Sequence, residues 1–191
     1  MRKLFGGIDL TWPKLIIFAL IAGLYTGLMA YLPQTQDTSF ADITISFEVW
    51  VFFGTIIIMN SKSNLDSALK CFVFFLISQP LVYLVQVPFS AMGWGIMSYY
   101  KNWILWTILT FPMGYIGYYL KKDKWWGLFI LVPVMLFVGL HYSGFLREAV
   151  SFFPNHLLSA IFCAVTIILY SLFIFKDKKL SRSVLSLLFA F

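Results

Sequence analysis

Six stretches of this chain stay apolar for about the 20 residues that a helix needs to cross a hydrocarbon layer. They run from about Pro13 to Leu32, Phe40 to Met59, Leu65 to Val87, Tyr99 to Leu120, Trp125 to Ser143 and Asn155 to Phe175. Polar and charged residues collect between them. The pattern predicts an all-α, polytopic integral membrane protein, with six transmembrane helices forming a single domain over 1–191. One stretch breaks the helical pattern. Asp42-Ile-Thr44-Ile-Ser46-Phe-Glu48 alternates polar and apolar with period two, so it reads either as part of the second helix or as an extended or re-entrant segment before it.

Local signals mark the helix starts. Ser39-Phe-Ala-Asp42 has the spacing of a capping box and is expected to open the second helix. Ser63 or Asn64 is expected to cap the third, and Asn155, after Phe153-Pro154, the sixth. The first stretch follows a basic N-terminus and is too long for a signal-peptide core, so it reads as an uncleaved span. The tail, 183–191, is apolar but too short to cross; it reads as an interfacial segment or the start of a longer one.

Charge sets the orientation. Of the 14 basic residues, all except Lys101 and Arg147 flank the first helix start, the second-to-third turn, the fourth-to-fifth turn or the end of the sixth helix. Lys and Arg stay on the cytoplasmic side, so both termini are expected in the cytoplasm of a multi-pass cell-membrane protein. Composition agrees. Of 191 residues, 61% are hydrophobic and 12% charged, and the mean hydropathy is +0.86. A soluble domain carries about 25% charged residues. The net charge of +6 therefore signals orientation and a lipid partner rather than nucleic acid. Cys71 and Cys163 fall at different depths, which argues against a disulfide or a zinc site.

Few ionisable residues enter the spans, and those that do lie in the predicted outer half. Glu48 falls about nine residues into the second span, roughly 13 Å deep. His141 sits near the outer end of the fifth and His156 at the start of the sixth. Intramembrane ionisable groups are expensive to desolvate and usually face protein or water. Glu48 reads as a ligand group or as a structural hydrogen-bonding carboxyl, and His156 as a ligand group or an interfacial cap. Gln79, Tyr83 and Gln86 share one face of the third helix by their four-three spacing. His156, Ser159, Cys163, Thr166 and Tyr170 form a polar stripe along the sixth, which reads as interhelical hydrogen bonding or as a ligand surface.

Other stripes concern packing. Ala19, Gly23 and Gly27, with Ala22, Thr26 and Ala30 on the adjacent face, line the first helix; Thr107, Thr110, Gly114 and Gly117 line the fourth. Small residues allow close backbone approach. Pro80, Pro112 and Pro133 fall near the middles of the third, fourth and fifth helices, each removing one backbone hydrogen bond. Most tryptophans and tyrosines fall at span ends, as an aromatic belt does. Trp50 and Trp106 do not, and Trp50 beside Glu48 suggests an aromatic wall for a cationic or planar ligand.

No catalytic signature is present: no His-Glu-x-x-His, Gly-x-Ser-x-Gly, Walker loop or Cys-x-x-Cys. Glu48, His141 and His156 make a metal site conceivable, but no spacing demands one. No cofactor is expected. In length, helix number, orientation and first-helix stripes, the whole chain resembles the substrate-binding S components of energy-coupling-factor transporters. That resemblance implies capture of a small molecule near the outer face; the candidate ligand residues, read from depth and facing, are Glu48, Trp50, Gln79, Tyr83, Gln86, His141 and His156. It also implies a membrane coupling subunit docked on Ala19, Gly23 and Gly27, or on Ala22, Thr26 and Ala30. Gly114 and Gly117 read as helix-packing or partner-docking positions, and a homo-oligomer is the alternative to a coupling subunit. Three readings stand: small-molecule binding or transport, an intramembrane enzyme on a lipid-like substrate using Glu48 and a histidine, and a ligand-free accessory subunit.

Overall fold

The computed structural model describes residues 5–44, 46–122 and 124–174, without the side chain of Phe173. Among these residues the chain is all helical. Helices α1 (Trp12–Tyr31), α2 (Ser39–Asp42), α3 (Glu48–Met59), α4 (Asn64–Gln86), α5 (Tyr100–Gly117), α6 (Leu128–Ser151) and α7 (Leu157–Phe173) are joined by turns and short 3-10 segments. Three segments are long and apolar enough to cross a membrane: Trp12–Tyr31, Asn64–Gln86 and Trp125–Ser151. Helices α3 and α7 are apolar but shorter, and α5 opens on Tyr100, Lys101 and Asn102. Large apolar side chains such as Ile21, Leu105, Phe129 and Val150 are more than half exposed, as lipid-facing residues would be. The tail 183–191 and the basic residues before Phe5 and after Ile174 lie outside the described residues.

The start of α1 accommodates Pro13 because first-turn amides have no helical partner to lose. The helix stops at Tyr31 because Leu32, preceding Pro33, is extended. Its buried face is Leu15, Ala19, Ala22, Gly23, Thr26 and Gly27, and that face lies on α4. A Cβ on Gly23 would stand 2.7 Å from the Ser78 carbonyl oxygen, and one on Gly27 2.7 Å from that of Val82. The two backbones touch because these residues have no side chain. Nearer the start of α4, a Cβ at Gly114 would stand 3.0 Å from the Ser67 carbonyl oxygen, and the Ser67 hydroxyl donates to the Gly114 carbonyl at 2.8 Å. A Cβ on Gly117 would meet Ile58 of α3. Of the two first-helix stripes, Ala19, Ala22, Gly23, Thr26 and Gly27 are buried within this chain, Gly23 and Gly27 directly against α4, and Ala30 is half-buried.

Helices α6 and α7 pack on each other and, with α3, bury Phe5, Met59, Leu131, Met135 and Tyr170. Pro80, Pro112 and Pro133 lie inside α4, α5 and α6, which continue past them.

Four expectations about boundaries and caps are corrected. The span from Phe40 to Met59 is not one helix: α2 has four residues and the chain turns before α3. Polar side chains at every second position cannot share one helical face. The turn lets Asp42, Ser46 and Glu48 all become buried. Thr38, not a Ser39–Asp42 box, caps α2, accepting from the Phe40 amide. Helix α6 runs to Ser151 rather than ending at Ser143, because Phe145-Leu-Arg-Glu-Ala carries helix formers and no stop signal. At α7 the N-cap is His156, in the left-handed region at φ 59°, and not Asn155. Ser63 does cap α4, accepting from the Asp66 amide at 3.1 Å.

Candidate polar site between α2, α3, α6 and α7

The turn after α2 carries two carboxylates into the bundle. Asp42 is 4% exposed; it accepts the Ser159 hydroxyl, and its Oδ1 and Oδ2 lie 3.0 and 3.1 Å from Nδ1 of His156. Glu148, one helical turn and more beyond His141 on α6, places Oε2 3.9 Å from the same Nδ1. Glu48 is the first residue of α3, where the helix dipole favours negative charge. It is 1% exposed. Its Oε1 lies 3.3 Å from Nδ1 of His141 and accepts a long contact, 3.9 Å, from the Cys163 thiol. Its Oε2 has no hydrogen-bond partner among the described residues. Buried carboxylate oxygens are normally satisfied, because leaving one bare costs about 1–3 kcal/mol or more.

The Phe145 ring lies between the imidazoles, stacked on His156 at 6.3 Å and 6.3 Å from His141. Two cavities meet around it. The first, about 370 Å³, reaches from Glu48 and Asp42 to an apolar wall of Val49, Phe53, Leu158 and Phe162. The second, about 590 Å³, is lined by Asp37, Asp42, His141, Glu148 and His156. Asp42, Ser46 and Phe145 border both. Small-molecule sites commonly enclose about 300–1,000 Å³. Among the described residues, the two outside glycine with positive φ, Asp37 (56°) and His156 (59°), both line the second cavity.

Glu48, His141 and His156 are thus brought together, as are Ser159 and Cys163 of the α7 stripe. The rest of that stripe serves packing: Thr166 is buried, and the Tyr170 hydroxyl bonds Thr55 at 2.8 Å. Four other candidates lie elsewhere. Trp50 donates from its indole to the Ile43 carbonyl at 3.0 Å, bracing the turn between α2 and α3. Gln79 is buried in α4, Tyr83 packs on the Tyr100 ring, and Gln86 donates to Val82 in its own helix at 2.8 Å. None of these four lines either cavity. Asp42, Asp37, Ser46, Phe145 and Glu148 were not foreseen. The period-two alternation was the available signal for Asp42 and Ser46.

The geometry limits the chemistry. Ser159 donates to the Asp42 carboxylate, a weaker base than the imidazole that commonly activates a serine nucleophile. Among the described residues no set of three His, Cys, Asp or Glu side chains is arranged to hold a metal ion. Cys71 and Cys163 are both free and buried. Comparison with protein families, curated proteins and solved structures returns no match.

Proposed function

We propose that this chain is a cell-membrane protein that binds a small molecule, for retention or transport, in the paired cavities beside Asp42 and Glu48. In this reading it crosses the bilayer six times with both termini in the cytoplasm, and the cavities open toward the outside. The observation that carries the reading is a buried carboxylate, Glu48, that borders a 370 Å³ space and has one oxygen without a hydrogen-bond partner among the described residues. A subunit serving only assembly would gain stability by filling that space. The orientation is supported by segregation of charge along α3. Asp42 and Glu48 lie at its start. At its end the Ser61 carbonyl accepts from Lys121 and the Lys62 carbonyl from Tyr118. A coupling subunit, if one is used, docks on a face other than the small stripes of α1.

A second reading has one specific support. Glu48 and His141 stand 3.3 Å apart, within reach for acid–base work on a lipid-like substrate. Native mass spectrometry of the purified protein separates the two. The binding reading expects an intact small molecule retained by wild type and lost from Asp42→Asn. Turnover of added lipid that His141→Gln abolishes would favour the enzyme instead. A protein that retains no molecule would contradict the binding reading.

A further inference from the structure

We infer that the ligand of this site is an organic cation, an ammonium group attached to an apolar body; this rests on the small-molecule reading above. The two cavities are lined by four carboxylates, Asp37, Asp42, Glu48 and Glu148, and by two histidines, and among the described residues no Lys or Arg lines either of them. Ionised carboxylates therefore outnumber imidazolium charges even when both rings are protonated. An anion entering here meets only repulsion from the carboxylates. A neutral ligand leaves the excess uncompensated.

The unpartnered Oε2 of Glu48 is the second, independent observation. It belongs to a side chain only 1% exposed that borders the first cavity, and it needs a donor. An ammonium in the cavity supplies both the donor and the charge once the Glu48 carboxyl turns to present that oxygen, and charge-assisted hydrogen bonds are the stronger kind. The remainder of that cavity is apolar, with Val49, Phe53, Leu158 and Phe162 in its wall. Phenyl faces also attract a cation, and Phe145 borders both spaces. Phe40 and Leu158, at the margin of the first cavity, are half exposed and apolar, so the body of such a ligand can approach along the lipid-facing side. The head is held at Glu48 and Asp42 and the body among the phenyl rings.

Three probes of one shape test this: 2-phenylethylammonium, 2-phenylethanol and 3-phenylpropanoate, bound to the full chain in lipid nanodiscs, with empty nanodiscs as the blank. The ammonium is expected to bind about tenfold or more tighter than the alcohol, and the carboxylate not at all. Glu48→Gln is expected to bring the ammonium down to the affinity of the alcohol while leaving the alcohol unchanged. Should that variant fail to fold, Glu148→Gln decides: its carboxyl is 54% exposed, and its loss is expected to weaken the ammonium alone. Equal binding of ammonium and alcohol, or tightest binding of the carboxylate, overturns the cation assignment but leaves the small-molecule reading standing. An ammonium preference that survives these substitutions places the cation elsewhere and also overturns it. Failure of all three probes to bind overturns the assignment of an ammonium on an apolar body, while the small-molecule reading is decided by native mass spectrometry.

Discussion

Asp42 accepts from Ser159 and faces His156 while almost wholly buried. Asp42→Ala removes the partner of two half-buried polar groups at once, and is expected to lower stability by about 1–3 kcal/mol in a denaturation series. His156 occupies a left-handed backbone position, which Asn tolerates and most residues do not. His156→Asn should therefore keep the α6–α7 turn while losing the imidazole–carboxylate contact. His156→Val should unfold at a clearly lower temperature than His156→Asn; equal melting points would remove the backbone argument. Away from the site, Thr55→Val deletes the hydroxyl that meets Tyr170, with an expected loss of about 1–2 kcal/mol. Glu48 and His156 were legible in the sequence because ionisable residues inside apolar spans are conspicuous. Asp42 was not, because Ser39-Phe-Ala-Asp42 imitates a cap. Gln79, Tyr83 and Gln86 show the opposite error. Their spacing gives them a shared face, but spacing alone does not say what that face meets.

At the scale of elements, α1, α4 and α5 form one close-packed layer through glycine. Gly23→Val or Gly27→Val would force a side chain against a backbone carbonyl oxygen of α4, and is expected to cost about 1–3 kcal/mol or more in melting experiments. Gly54, Gly139 and Gly144 have no neighbour within 4 Å of an added Cβ. Alanine there should leave the melting point unchanged or raise it, since alanine favours a helix over glycine. A common response at Gly23 and Gly139 would show that the glycines of α1 are not contacts. The small stripes marked these interfaces in the sequence, though not which helix lies opposite. The division between α2 and α3 was less legible. The apolar content of Phe40 to Met59 suits one helix, and only the burial of Asp42, Ser46 and Glu48 explains why the chain turns. The end of α6 was misplaced because a span length fixes where hydrocarbon stops and not where helix does.

For the whole molecule, the account joins two things: acidic cavities at one end of α3, and lysines around its other end. Water must reach the first end from outside the cell if the functional reading holds. Ser46 is buried and borders both cavities. It is close in size to cysteine, so Ser46→Cys reports on them with little disturbance. In a Cys71→Ala, Cys163→Ser background, with the chain in sealed vesicles, a small membrane-impermeant thiol reagent should label Ser46→Cys from the outer side alone. The same reagent should be blocked once Leu158→Trp narrows the first cavity and Gly144→Trp the second. Labelling from the cytoplasmic side, or from neither side, would contradict an outward-opening polar cavity in this membrane protein.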